Sequence, residues 1–105
     1  LEAELPTLDV LYMTRIQQER FFNEEDYLRL KGCYSLNAKL LEQAPADMPV
    51  LHPLPRIDEI KLDVDSDPRA AYFDQVHNGV YIRMAIILAL LGIPDPLTGK
   101  PVLNA

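Results

Sequence analysis

Two short stretches hold most of the side chains able to do chemistry. Arg15 and Gln17 follow the apolar run Asp9-Val10-Leu11-Tyr12-Met13, and His52-Pro53-Leu54-Pro55-Arg56 follows Met48-Pro49-Val50-Leu51. A guanidinium at the carboxyl end of a strand can grip a carboxylate through paired hydrogen bonds, and a nearby amide can read an adjoining polar group. Glu19, four residues after Arg15, suits holding that guanidinium in place. In the second stretch, prolines on either side of Leu54 keep the carbonyls of Pro53 and Leu54 out of a regular ladder, free to accept from a ligand. A cis Leu54–Pro55 bond would fix that exposure. Plainer readings stand beside these. Thr14 to Arg20 also suits a solvated charged loop, and His52 to Arg56 a rigid turn ending a strand. His52 could act as a base, but a lone histidine at a strand end is more often packed and hydrogen-bonded.

Strand ends need strands, and the chain alternates short apolar runs with helical patterns, the signature of βαβ units. Strands are expected at 9–13 and 50–51, with a further short one at Cys33-Tyr34-Ser35-Leu36. Glu24 to Leu30 reads as a helix ending near Gly32, and Asn37 as the N-cap of a helix through Gln43, stopped by Ala44-Pro45. Asp67 before Pro68 reads as an N-cap with proline at the first helical position, opening a helix to Leu91 with Gly92 as C-cap. Asn78-Gly79 is expected to kink or divide it. The fold class is α/β: part of a doubly wound parallel sheet over 1–67, a long carboxyl-terminal helix over 68–92, and an irregular tail over 93–105. In such sheets ligands bind at the carboxyl ends of the strands.

Composition narrows the function classes. At 105 residues with 49% hydrophobic content the chain makes one modest domain at most. A formal net charge of -6 argues against nucleic acid and anionic membrane surfaces as partners, while leaving room for a local cationic pocket. Cys33 is the one cysteine, which suits a reducing cytoplasm and a small core residue more than a nucleophile. The apolar run Met84 to Leu91 is too short to span a bilayer. Four glycines, none in a phosphate loop, speak against a nucleotide-binding domain. The apolar positions between Arg69 and Leu91 suit a helix packed on more than one side, with Arg83 its main polar candidate and His77 exposed. Beginning at Leu1 and running quickly into a core strand, the chain is expected to be the carboxyl-terminal portion of a longer polypeptide.

Together the three stretches Asp9 to Arg20, Val50 to Ile60, and Pro68 to Phe73 with Asn78-Gly79 through Ala85 closely resemble the carboxyl-terminal part of the aspartate carbamoyltransferase catalytic chain. The resemblance covers about Asp9 to Gly92, in the family's order and spacing. Sister ornithine enzymes carry a Ser-Met-Gly loop and a His-Cys-Leu-Pro motif at these places, so Arg15, Gln17 and Pro53 favour aspartate as acceptor. The resemblance implies carbamoyl transfer from carbamoyl phosphate to L-aspartate in pyrimidine biosynthesis, without metal or organic cofactor. It implies that Arg15 and Gln17 bind aspartate, and that the carbonyls of Pro53 and Leu54, set by Pro55, accept from the carbamoyl amino group. Tyr27 and Asp58 resemble a pair that latches a mobile loop, with Glu19 and Arg83 in supporting roles.

The family's Ser-Thr-Arg-Thr phosphate grip, its catalytic histidine and a lysine lent by a neighbouring subunit belong to the amino-terminal half, so no catalytic residue is assigned here. That half is the first expected partner, within a homotrimer of complete chains, with or without regulatory chains. The competing reading is a non-catalytic structural or interaction module that needs a partner chain.

Overall fold

The computed structural model describes residues 1–31 and 33–103, so the expected helix stop at Gly32 lies outside the described residues. The chain divides into two compact units, Leu1–Phe73 and Asp74–Ala105. Its class is α/β, with a parallel two-stranded sheet and a long helix near the carboxyl end.

The sheet of the first unit consists of β1 (Leu11–Tyr12) and β2 (Val50–Leu51), with Leu11 opposite Val50 and Tyr12 opposite Leu51. The Leu11 N–H donates to the Pro49 carbonyl at 3.0 Å and the Met13 N–H to the Leu51 carbonyl at 2.8 Å. On this register the ladder to β1 uses the backbone of residues 49, 51 and 53, and Pro49 and Pro53 have no N–H to give. Prolines therefore bracket the pairing, and the strand expected over Asp9 to Met13 shrinks to two residues. On its other side β2 bridges Ala70: the Val50 N–H donates to the Arg69 carbonyl at 2.8 Å, and the Ala71 N–H to the Val50 carbonyl at 3.0 Å.

The strand expected at Cys33 to Leu36 is a correction. Only Leu36 pairs, in a single parallel bridge with Ile60. Cys33 instead stays in the turn after α1 (Glu24–Leu30), where its N–H reaches the Leu30 carbonyl at 3.1 Å and its thiol the Arg29 carbonyl at 3.1 Å. It is exposed, not the core residue expected.

Both short helices begin as read. Asn23 accepts the Asp26 N–H at 2.8 Å to open α1, whose first turn carries Glu24, Glu25 and Asp26 where the helix dipole favours negative charge. Asn37 accepts the Leu40 N–H at 2.8 Å to open α2 (Ala38–Leu41). This helix ends before the expected Gln43, because its last turn tightens into bonds from Gln43 to Leu40 and from Ala44 to Leu41.

Carbonyls left over at that end are gathered by Arg69. Its Nη1 donates to Leu41, Ala44 and Pro45 at 3.0, 3.2 and 3.1 Å, while Nε and Nη2 each donate to the Asp67 carboxylate at 2.9 Å. The Arg69 hydrogen bonds hold the Asp67 carboxylate below the usual carboxylate range. So engaged, Asp67 does not cap a helix. Residues 68–71 run alongside β2, and α3 (Tyr72–Leu90) starts later than the sequence suggests.

The core lies wholly in the first unit. Leu5, Leu36, Leu41, Val50, Val64 and Tyr72 are each fully buried. In the second unit α3 continues unbroken through Asn78-Gly79, against the expected kink. A Cβ at Gly79 would meet only the Arg83 guanidinium at 3.7 Å, an ordinary contact. Gly92, at φ 65°, ends the helix in a Schellman motif: its N–H reaches the Ala89 carbonyl at 3.2 Å and the Ile93 N–H the Leu88 carbonyl at 2.9 Å. Val80, Ile82, Met84, Ile86 and Leu90 are exposed, so the expected packing on several sides is not present among the described residues. The tail folds on Asp95, whose carboxylate accepts from the Leu97 N–H at 2.8 Å and the Thr98 hydroxyl at 2.9 Å.

Arg69 and Arg29 make opposite predictions. Arg69 is nearly buried and its loss strands carbonyls and a carboxylate, so Arg69→Met should cost about 2–4 kcal/mol. Arg29 pairs with Asp26 on the surface, and Arg29→Met should cost less than about 0.5 kcal/mol. Equal shifts of the two urea midpoints would contradict this division.

Candidate functional site

The parallel pairing of β1 and β2 sends both chains out of the sheet on the same side. An open cavity of about 650 Å³ forms there, lined after β1 by Thr14, Arg15, Ile16 and Gln17, and after β2 by His52, Pro53, Leu54 and Pro55. Arg20 and Phe21 complete the lining. The two stretches singled out in the sequence thus meet, although Gln17 and His52, their nearest ends, lie 35 positions apart. Among the described lining residues Arg15 and Arg20 are the charged ones, so a cationic pocket sits in an acidic chain. Glu19 stands 3.9 Å from the Arg15 guanidinium, both side chains well exposed, a contact that steers more than it stabilises.

The far wall is held from behind by two buried groups. His52 is fully buried, its Nε2 lies 2.7 Å from Glu59 Oε1, and its Nδ1 accepts the Leu54 N–H at 2.8 Å. An Nδ1 that accepts carries no proton, so the ring proton sits on Nε2 and is donated to the carboxylate. The other Glu59 oxygen accepts the N–H groups of Ile57 and Asp58, each at 3.1 Å. Burial works to raise the Glu59 pKa, but the hydrogen bonds from backbone N–H groups and from His52 outweigh it and leave the carboxyl below its ordinary range. The packed, hydrogen-bonded reading of His52 is the one observed.

Held this way, the loop adopts an unusual backbone. Leu54 sits at φ 51°, a left-handed conformation rare for a leucine, and the Leu54–Pro55 bond is cis. The carbonyls of Pro53 and Leu54 accept no hydrogen bond among the described residues. Two free acceptors facing a pocket with guanidinium and amide donors suit a small molecule carrying both an N–H group and an anionic group.

The end of the motif is anchored separately. Arg56 makes a two-pronged pair with Asp65, Nη2 to Oδ2 at 2.6 Å and Nη1 to Oδ1, and its guanidinium lies 5.5 Å from the centre of the Tyr72 ring. The Tyr72 hydroxyl donates to Asp65 at 2.5 Å. Burial first, then that bond to Asp65, pushes the Tyr72 pKa up to about 12.

Tyr27 and Asp58 border one narrow crevice together with Arg15 and Glu59, without a hydrogen bond between Tyr27 and Asp58. Arg83 lies on α3 in the second unit, near Gly79. No group of three or more metal-ligating side chains occurs among the described residues, nor is any helix long and apolar enough to cross a membrane. Sequence reasoning missed Glu59 and Arg20 as parts of the site. Nothing in the spacing of His52 and Glu59 marks them as partners, since an irregular loop brings them together.

The sign of the Glu59 shift fixes a pH dependence. Its folded-state pKa lies below the ordinary 4.5, so the stabilisation is complete above 4.5 and drains away as pH falls from there through the folded value. Asp65, held low first by its bond to Arg56, changes in the same direction. Glu59→Gln should therefore lower the melting temperature most above pH 4.5, with the gap to the unmodified protein narrowing below it. A gap constant with pH would contradict the assignment.

Residues 1–90 match the Asp/Orn binding domain of aspartate/ornithine carbamoyltransferases. The aspartate carbamoyltransferase catalytic subunit of Lachnoclostridium phytofermentans is 61% identical over 93 residues, 89% of this chain and 30% of the relative. That of Bifidobacterium longum subsp. infantis is 55% identical over all 105 residues, 32% of its own length. The chain thus spans about a third of the curated relatives it matches. Among solved structures, Trypanosoma cruzi aspartate transcarbamoylase in complex with carbamoyl phosphate and aspartate aligns with a TM-score of 0.74 at 41% identity, covering 83% of this chain and 28% of that one. Sequence, fold and site geometry converge: the chain belongs to the aspartate/ornithine carbamoyltransferase family, within its Asp/Orn binding domain.

Proposed function

We propose that this chain is the aspartate-binding part of an aspartate carbamoyltransferase, which transfers the carbamoyl group of carbamoyl phosphate to the amine of L-aspartate in pyrimidine biosynthesis. The observation that carries this reading is the meeting of Arg15 and Gln17 with Pro53, Leu54 and Pro55 around one cavity. Arg15 binds an aspartate carboxylate, Gln17 positions the same substrate, and the carbonyls of Pro53 and Leu54 accept from the carbamoyl amino group. Glu19 orients Arg15, and Tyr27 and Asp58 latch the loop between α1 and β1 in one of its states. The names of relatives at 55–61% identity support aspartate over ornithine as the acceptor.

Transfer of this kind needs no covalent intermediate. It needs two substrates held in line and charge set around a tetrahedral transition state. This segment supplies one side of that arrangement. The phosphate grip and general acid–base groups belong to the remaining two thirds of the relatives' length, and the complete chain works as a cytoplasmic homotrimer, with or without regulatory chains. Arg83 takes a supporting role.

Arg15→Ala, introduced into the complete catalytic chain, should raise the aspartate KM about a hundredfold while changing carbamoyl phosphate binding little, as expected for one lost charge-assisted double hydrogen bond. Unaltered aspartate kinetics would overturn the assignment. A second reading, a non-catalytic module, draws on the exposed apolar residues of α3. Mixing the chain with the amino-terminal half separates the two: carbamoyl transfer supports the enzyme, and a stable inactive complex supports the module.

A further inference from the structure

We propose that His52 is a positioning residue for the pocket's backbone acceptors, acting through a fixed neutral tautomer. Glu59 takes the Nε2 proton, which leaves Nδ1 as the acceptor that holds the Leu54 N–H and so sets the direction of the Pro53 and Leu54 carbonyls. This inference rests on the functional reading above, because those carbonyls matter through the group they bind.

Three observations carry it. The His52 ring is fully buried, so no solvent competes for either nitrogen. The 2.7 Å contact of Nε2 with Glu59 and the 2.8 Å contact of Nδ1 with the Leu54 N–H demand opposite roles from the two nitrogens, and only the Nε2–H form satisfies both. Leu54 sits at φ 51°, a conformation that a leucine keeps only when its surroundings hold it there, and the side chain bonded to its N–H is His52.

Imidazolium would present a second N–H toward the Leu54 N–H, two donors facing each other. The opposite neutral tautomer would place a lone pair against the Glu59 carboxylate. Either exchange releases Leu54. Glu59 itself is over-determined, since its second oxygen is occupied by the Ile57 and Asp58 N–H groups and cannot swing away to adapt. The carbonyl geometry is thus set by hydrogen bonds among His52, Glu59 and Leu54.

Two substitutions divide the roles of the ring. His52→Asn retains an acceptor near the Nδ1 position, able to take the Leu54 N–H as asparagine does in an Asx turn, and gives up the reach to Glu59. His52→Gln retains a donor near Nε2 and gives up the acceptor at Nδ1. In the complete catalytic chain, His52→Gln should lower kcat by at least about tenfold with the aspartate KM within about threefold, as misdirected carbonyls cost orientation of the carbamoyl group. His52→Asn should lower kcat clearly less than His52→Gln does, since the Leu54 bond survives while only the contact with Glu59 is given up. The reverse order, or equal losses, overturns the proposal.

A measurement on the unmodified protein stands apart from turnover: nitrogen-15 chemical shifts of the His52 ring should report a protonated Nε2 and a bare Nδ1. Finding the Nδ1–H form or imidazolium at neutral pH overturns the positioning role while leaving the carbamoyltransferase reading intact. A correct tautomer in a complete chain that binds no carbamoyl phosphate overturns the functional reading, and with it the role given to His52.

Discussion

A buried carboxylate is costly unless every lone pair is used, and Glu59 shows how that constraint can organise a site. One oxygen takes the His52 proton and the other takes two N–H groups from the chain just beyond it, so the carboxylate ties the end of β2 to the turn that follows. Between those anchors the backbone has little choice. Leu54 is forced left-handed, Pro53 and Pro55 cannot donate, and two carbonyls are left without partners at the edge of the cavity. Removing one partner from such a group costs far more than the net worth of the bond itself, which is why the arrangement behaves as a unit.

Proline does related work at the sheet. Because the ladder to β1 runs through residues 49, 51 and 53, two prolines limit it to a single donor between them. The strands stop early, and both chains are released as irregular loops at the same edge. Arg15 and Gln17 on one loop then face Pro53 and Leu54 on the other. Arg56 and Arg69 fix the flanks, each through a near-buried guanidinium paired with an aspartate.

Much of this was legible in the residues. The α/β class, the N-cap at Asn37 and the Gly92 stop follow from local chemistry, and the meeting of the two motifs from the family resemblance. Failures came where a distant partner decided the outcome. Asp67-Pro68 has every local mark of a helix start, yet Asp67 is claimed by Arg69 and the next residues pair with β2. Cys33 lies in a stretch that reads as a strand, but among the described residues of that stretch Leu36 alone forms a bridge. Asn78-Gly79 costs propensity without breaking α3, since propensity is a weak preference. Glu59 carries no sequence mark at all, because only the folded loop brings it to His52.

The account rests on one pocket serving both substrates, and a crystal structure of the complete catalytic chain with N-(phosphonacetyl)-L-aspartate bound tests that most directly. The account predicts the aspartate carboxylates of the ligand within hydrogen-bond reach of Arg15 and Gln17, and its remaining half beside the carbonyls of Pro53 and Leu54. A ligand seated away from these residues, or a Leu54 N–H released from His52 in the complex, would contradict it.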